Sequence, residues 1–121
     1  MRILLVEDHD ESREVLARLM RHWGFEVATA PALAPALEKL TTPFDAVISD
    51  ISLPDGSGYA VACEAKRLDR KTLAVALTGH NTPADVETGR IAGFDHYLSK
   101  PFNCEEILTI LARHGRRGSE S

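Results

Sequence analysis

Residues 44–50 read FDAVISD, a short and mostly apolar run that ends in the carboxylate of Asp50. The next stretch, residues 53–58, reads LPDGSG and carries the proline, aspartate and glycine that favour tight turns. A continuous apolar run bounded by turn residues predicts a strand that is buried on both of its faces. The sequence therefore predicts that Asp50 stands at the carboxyl end of a buried strand.

Four other apolar runs have the same character, and segments with helical spacing separate them. The five predicted strands lie at residues 3–6, 25–29, 44–49, 73–77 and 94–99. After the first strand, for example, the apolar residues Val15, Leu16 and Leu19 recur at the spacing of one helix face. Alternation of buried strands with helices predicts an α/β fold, a doubly wound parallel sheet with helices on both faces.

The composition bounds the class of protein. The 121 residues suit one domain, which we predict at residues 1–115, with a disordered tail at residues 116–121. A net charge of −4 argues against direct contact with nucleic acid. The sequence contains neither a secretory signal nor an apolar run of membrane-spanning length, and its two cysteines are expected to be free thiols. These features favour a cytoplasmic domain that does not insert into a membrane.

Polar residues stand where the predicted strands end. They are Glu7 and Asp8 after the first strand, Asp50 after the third, Thr78 after the fourth and Lys100 after the fifth. Ligands of open parallel sheets bind at the carboxyl ends of the strands. If the first, third and fourth strands are neighbours, three carboxylates share one pocket. Their mutual repulsion then favours a bound hard divalent cation such as Mg²⁺.

A site of this composition suits phosphoryl transfer. A carboxylate such as Asp50 can form an aspartyl phosphate, and the transfer depends mainly on positioning and on charge neutralisation. Lys100 would place a positive charge beside one phosphoryl oxygen, and Thr78 would donate a hydrogen bond to another. Mg²⁺ would bridge Asp50 and the incoming phosphoryl oxygens.

Four motifs, taken in order, resemble the receiver domain of bacterial two-component response regulators. They are Val6-Glu7-Asp8, Asp50 with the loop at residues 53–58, Thr78-Gly79, and Lys100-Pro101-Phe102. The resemblance covers the chain from Arg2 to about Arg113. It implies a flavodoxin-like (βα)5 fold with strand order 2-1-3-4-5, which would bring the polar strand ends together.

The resemblance also implies roles for single residues. Asp50 would be the phosphoacceptor, Lys100 would contact the phosphoryl group, and the bond between Lys100 and Pro101 would be cis. The metal ion, Mg²⁺ or Mn²⁺, would have four protein ligands: Glu7, Asp8, Asp50 and the main-chain carbonyl of Ser52.

By the same resemblance, Thr78 and Tyr97 would form a switch. On phosphorylation Thr78 is expected to move toward the phosphoryl group, and Tyr97 to turn inward into the space it leaves. The face formed by the fourth helix, the fifth strand and the fifth helix would then change its affinity for a downstream protein. Ser52 and His80 would tune dephosphorylation. The phosphoryl donor would be a histidine kinase or a phosphotransfer protein.

Three other functions fit parts of the sequence. A haloacid-dehalogenase-type phosphotransferase also forms an aspartyl phosphate, but that family has a second aspartate where this chain has Ser52. A flavodoxin-like flavin binder needs a phosphate loop where Glu7 and Asp8 would repel the phosphate. A receiver-like module that acts through protein contacts alone, without phosphorylation, is disfavoured because all the functional positions are filled.

The wider context of the domain has two interpretations. No output domain follows the predicted receiver, so we expect either a stand-alone regulator or one domain of a larger protein, such as a hybrid sensor histidine kinase. The loop at residues 53–58 and the short tail favour the second. In both cases the expected chemistry is limited to phosphorylation and dephosphorylation of the chain's own aspartate.

Overall fold

Strand and helix alternate five times along the chain, as the apolar pattern predicts. The computed structural model describes residues 1–79, 83–101 and 103–120, with the backbone alone at residues 83, 84 and 115–120. The strands are β1 (Arg2–Val6), β2 (Glu26–Ala30), β3 (Ala46–Asp50), β4 (Leu73–Thr78) and β5 (His96–Ser99). The helices are α1 (Asp10–His22), α2 (Leu33–Lys39), α3 (Gly58–Leu68), α4 (Pro83–Ala92) and α5 (Cys104–Glu120).

All five strands join one parallel sheet in the order β2-β1-β3-β4-β5. This order confirms the expected arrangement 2-1-3-4-5 and places β3 between β1 and β4. In the register of the sheet, Val6 pairs with Ser49 and Asp50 pairs with Leu77. The carboxyl ends of the three central strands therefore reach the same edge of the sheet, where such folds bind their ligands.

Helices cover both faces of the sheet, and each face has its own core. On one face Ile3, Leu5 and Ile48 are fully buried together with residues of α1 and α5. On the other face Leu4 and Val47 are fully buried with residues of α2 and α3. Successive side chains of a strand point to opposite faces, so β1 and β3 must be apolar on both. Burial of one such side chain contributes about 1.5–3 kcal/mol, which fixes the central strands and the residues at their ends.

The segment after β3 forms a short hairpin, whereas its turn residues predict only a tight turn. Ser52–Leu53 and Gly56–Ser57 pair as a short antiparallel hairpin, with Pro54 and Asp55 in the turn between them. We refer to residues 52–57 as the β3–α3 hairpin. It links the end of β3 directly to the start of α3.

The backbone of the last helix extends into the segment that the sequence predicts as a tail. The backbone of α5 continues through Gly115 to Glu120, because a glycine inside a helix costs only about 1 kcal/mol and does not by itself break it. The disordered tail at residues 116–121 is an expectation about behaviour in solution and stays a prediction. No helix in the described ranges has the length and apolar character needed to cross a bilayer.

Candidate functional site

Three carboxylates meet at the carboxyl edge of the sheet. Glu7 and Asp8 follow β1 directly, and Asp50 is the last residue of the neighbouring strand β3. One oxygen from each of the three side chains lies within 4.8 Å of the other two. Glu7 is 1% exposed and Asp50 is 4% exposed, whereas Asp8 is open to solvent. The structure therefore brings together the carboxylates that the sequence places at these two strand ends.

Lys100 adds one positive charge to this acidic cluster. Its backbone amide donates to the Thr78 carbonyl at 2.7 Å, which fixes the lysine beside the end of β4. Its Nζ lies 2.7 Å from Asp50 Oδ1 and 3.3 Å from Glu7 Oε2. Burial opposes the charge on Lys100, but the close contact with the Asp50 carboxylate and its negative charge outweigh it, so the pKa of the lysine is raised. The bond between Lys100 and Pro101 is cis, as the resemblance implies.

The surroundings of Asp50 disfavour its charged form. Burial is the largest cause and the Glu7 carboxyl adds to it, while Lys100 acts in the opposite direction. The balance raises the pKa of Asp50 from 3.8 to about 7. Among the residues that the structure describes, none donates a well-aligned hydrogen bond to either carboxylate oxygen of Asp50, although Lys100 Nζ is close. A buried carboxylate with open acceptor positions is well suited to bind a cation or a phosphoryl group.

The donor set fits a hard divalent cation. Three carboxylates face one lysine, so the ionised cluster has an excess of negative charge. Carboxylate oxygens together with water are the ligands that Mg²⁺ prefers, and Glu7, Asp8 and Asp50 are the residues that could hold it. A bound cation would favour the ionised form of Asp50 and lower its pKa. Ser52, whose main-chain carbonyl is predicted as a further ligand, lies in the β3–α3 hairpin two residues beyond Asp50.

The predicted switch residues occupy two different places. Thr78 ends β4, beside the Asp50 end of β3, and is 8% exposed at the edge of the site. Tyr97 lies on β5, and its hydroxyl donates to the Val86 carbonyl of α4 at 2.9 Å. His80 lies outside the described residues. The structure thus places Thr78 at the carboxylate edge and holds Tyr97 against α4.

Two close contacts at glycines support this arrangement and were not predicted from the sequence. A side-chain carbon at Gly58 would lie 2.1 Å from the carbonyl oxygen of Asp50, so the start of α3 packs directly on the strand end. One at Gly89 would lie 1.6 Å from the Tyr97 hydroxyl oxygen, so α4 has a notch that the tyrosine fills. For Gly89 the available signal was a glycine inside a helical pattern, which often has a packing reason.

A groove of about 430 Å³ opens beside the carboxylates. Glu7 and Lys100 line it together with residues of α1, among them Val15, which is 60% exposed. A volume of this size is within the range of small-ligand sites. The groove therefore reaches Glu7 and Lys100, whereas Asp8 and Asp50 are not among the residues that line it.

Fold and site together define the class of this protein. A doubly wound parallel sheet with three carboxylates and a lysine at its carboxyl edge is the arrangement expected of a receiver-type α/β domain. The sequence pattern of the response regulator receiver domain matches residues 3–112, which is most of the chain. The chain belongs to the response regulator receiver domain family.

Similar proteins agree with this assignment. PrrA, a transcriptional regulatory protein of Mycobacterium tuberculosis, is 36% identical over 120 residues, which are 98% of this chain and 52% of PrrA. The receiver domain of the sensor histidine kinase PA1611 from Pseudomonas aeruginosa is 31% identical, with a TM-score of 0.81 over 93% of this chain and 94% of that one. A response regulator protein from Burkholderia pseudomallei is 26% identical, with a TM-score of 0.84 over 98% of this chain and 71% of that one. The chain spans about half the length of PrrA and of the mycobacterial regulatory protein TcrA.

Proposed function

We propose that Asp50 of this receiver domain accepts a phosphoryl group from a phosphohistidine. Receiver domains work with histidine kinases and downstream effectors, and the donor here would be a histidine kinase or a phosphotransfer protein. The observation that carries the proposal is the Asp50 carboxylate, which is buried and 2.7 Å from Lys100, with no well-aligned donor to it among the described residues. A carboxylate kept only for stability would have its acceptor positions filled.

The metal site would consist of Glu7, Asp8 and Asp50, with the main-chain carbonyl of Ser52. A bound Mg²⁺, or Mn²⁺ in its place, supplies positive charge beside Asp50 and toward the phosphoryl oxygens. The Pseudomonas receiver domain, 31% identical, was solved with a magnesium ion coordinated in its active-site cleft. The Burkholderia response regulator was solved with a phosphorylated aspartic acid and a calcium ion. Both support a site of this kind here.

Asp50 must be ionised to act as the nucleophile, and Lys100 favours that state. One carboxylate oxygen of Asp50 attacks phosphorus, an O–P bond forms, and the N–P bond to the donor imidazole breaks. The electron pair of the broken bond stays on the imidazole nitrogen. Lys100 neutralises one phosphoryl oxygen and Thr78 donates a hydrogen bond to another. Water later hydrolyses the aspartyl phosphate, at a rate that Ser52 and His80 tune.

The phosphorylation signal leaves the site through Thr78 and Tyr97. The Tyr97 ring packs edge-on against Phe94, with ring centres 6.0 Å apart, and its hydroxyl bonds to the Val86 carbonyl. Movement of Thr78 toward the phosphoryl group changes the space available to Tyr97. The face formed by α4, β5 and α5 changes with it, and a downstream protein that binds one form better reads the state of Asp50.

The setting proposed for the domain is the cytoplasm. There it would act as the receiver domain of either a transcriptional regulator, which is how PrrA is named, or a hybrid sensor histidine kinase. In both settings the chemistry of this chain is limited to the gain and loss of a phosphoryl group on its own aspartate. The domain itself contacts neither nucleic acid nor the membrane interior.

Intact-mass measurement with acetyl phosphate tests the site. The wild-type protein should gain the mass of one phosphoryl group with Mg²⁺ and stay unmodified when EDTA removes the metal. Asp50→Asn should stay unmodified. The matched control Asp45→Asn, an exposed aspartate just before β3, should label at the wild-type rate. Labelling of Asp50→Asn at that rate, or labelling of the wild type in EDTA, would contradict the proposal.

A further inference from the structure

The β3–α3 hairpin is held at its tip by a distant helix. Asp55 occupies the turn of the hairpin. Its carboxylate accepts hydrogen bonds from the Leu33 amide at 2.7 Å and from the Ala34 amide at 2.9 Å. These two residues begin α2, 22 and 21 positions earlier in the chain. The contact therefore joins the segment after β3 to the segment after β2.

Asp55 caps α2 in place of a local residue. Ala32 stands at the N-cap of α2 and has no side-chain acceptor for the free amides of the first turn. Bonds from those amides to a carboxylate are charge-assisted and stronger than bonds between neutral groups. They lower the pKa of Asp55, with the Ala34 amide as the largest cause and the Leu33 amide next.

Packing beside the turn supports the same contact. A side-chain carbon at Gly56 would lie 2.5 Å from Leu33 Cδ2, so the hairpin backbone lies directly against the first side chain of α2. Leu53 is 9% exposed and anchors the hairpin in the core that residues of α2 and α3 share. Polar and apolar contacts thus fix the tip of the hairpin on one end of α2.

The base of the hairpin belongs to the candidate site. Ser52 lies two residues beyond Asp50 and pairs with Ser57 across the hairpin. The Ile51 carbonyl accepts the Gly58 amide at 2.7 Å, which closes the base against the start of α3. A shift of the hairpin tip would therefore change the position of the Ser52 carbonyl relative to Asp50.

We propose that Asp55 is a positioning residue for the metal site, because it ties the hairpin to α2 and so sets the place of the Ser52 carbonyl. This inference rests on the proposed function, which takes that carbonyl as a ligand of Mg²⁺. Asp55 acts through the backbone and not by contact with the ion. Coupling of this kind is reciprocal, so a hairpin position that favours Mg²⁺ is itself favoured by Mg²⁺.

Titration calorimetry of Mg²⁺ binding to the full chain tests the role of Asp55. Asp55→Ala should weaken the affinity by about fivefold or more. Asp55→Asn should restore only part of it, because the single amide oxygen can accept one of the two backbone amides and the NH2 group cannot accept the other. The matched control is Asp45→Ala, which also removes a carboxylate that accepts a distant backbone amide, that of Arg2 at 2.6 Å. Asp45 immediately precedes β3, at the end of the strand away from the site, so the Asp45→Ala variant should bind Mg²⁺ with wild-type affinity.

Amide hydrogen exchange provides a second readout. In the wild type, saturating Mg²⁺ should slow exchange at Leu33 and Ala34, and in Asp55→Ala it should not. Wild-type affinity in Asp55→Ala would overturn the proposal. Equal weakening in the control Asp45→Ala would overturn it as well, because the effect would then be a loss of charge alone. Failure of the proposed function looks different, since then the wild type binds no Mg²⁺ or Asp50→Asn binds it equally well.

Discussion

Asp50→Asn should stabilise the metal-free protein at alkaline pH, because it removes a charge that the fold disfavours. The pKa of Asp50 is raised from 3.8 to about 7, so the folded state binds this proton more tightly than the unfolded state. The stability contributed by protonated Asp50 is complete below about pH 3.8 and is lost as the pH rises through about 7. A tenfold difference in proton affinity corresponds to about 1.4 kcal/mol. Between pH 5 and pH 8 the unfolding free energy of the wild type should therefore fall by roughly 1–3 kcal/mol relative to that of the variant.

Urea unfolding in EDTA, followed by the fluorescence of Trp23, measures this effect. Trp23 is the single tryptophan of the chain and packs against the core on the α1 and α5 face, so its emission should report global unfolding. The difference in unfolding free energy between Asp50→Asn and the wild type should grow from pH 5 to pH 8. Added Mg²⁺ should stabilise the wild type more than the variant, because a ligand that binds only the folded state raises its stability.

Two results would refute this reasoning. The first is a stability difference between Asp50→Asn and the wild type that is the same at pH 5 and pH 8, since the charged form of Asp50 would then carry no penalty. The second is an equal gain in the control Asp45→Asn. Asp45 is exposed, so a gain there would trace the effect to net charge rather than to burial at the site.

Three further substitutions test single contacts. Gly58→Ala should destabilise the protein by about 1–3 kcal/mol in urea unfolding, because the added carbon would lie 2.1 Å from the Asp50 carbonyl oxygen. Tyr97→Phe should lower the free energy of unfolding by about 1 kcal/mol and speed amide exchange in α4, because the hydrogen bond to the Val86 carbonyl is lost. Unchanged exchange in α4 would mean that this hydrogen bond has no part in the proposed switch. Lys100→Gln should slow labelling by acetyl phosphate about tenfold or more in the intact-mass assay. In an NMR titration it should also raise the pKa of Asp50 further, because Lys100 is the group that lowers it; a fall in that pKa would contradict the charge assignment.

The strands and the carboxylates at their ends could be predicted because of where the strands lie. β1 and β3 are buried on both faces, so their sequences are continuous apolar runs, and Glu7 and Asp50 stand out as the charges that end them. Which strands are neighbours in the sheet could not be predicted from the residues alone. Parallel strands pair across long connections, and their adjacency leaves no local mark in the sequence. That part of the site came from the family resemblance.

The contacts that hold the β3–α3 hairpin and Tyr97 in place could not be predicted from the sequence. Each residue that makes them already suits its own turn or helix, so its type gives no sign of a distant partner. Asp55 fits a turn by its own chemistry, so nothing in the sequence points to its bonds with the first amides of α2. Gly89 looks like a weak helix residue, and its role appears only when the Tyr97 hydroxyl is found against it. Contacts of this kind depend on the shapes of two surfaces that meet only in the folded chain.

β5 is an edge strand of the sheet and has four residues. Pro101 follows soon after and cannot donate a main-chain hydrogen bond, so the pairing edge stops near the site. A short edge of this kind offers little backbone to a strand from another molecule, which disfavours edge-to-edge pairing on the β5 side of the sheet. Under the proposed function, a partner that responds to Tyr97 would recognise side chains and surface shape rather than extend the sheet. The strand that limits pairing at this edge would then also belong to the face that the partner recognises.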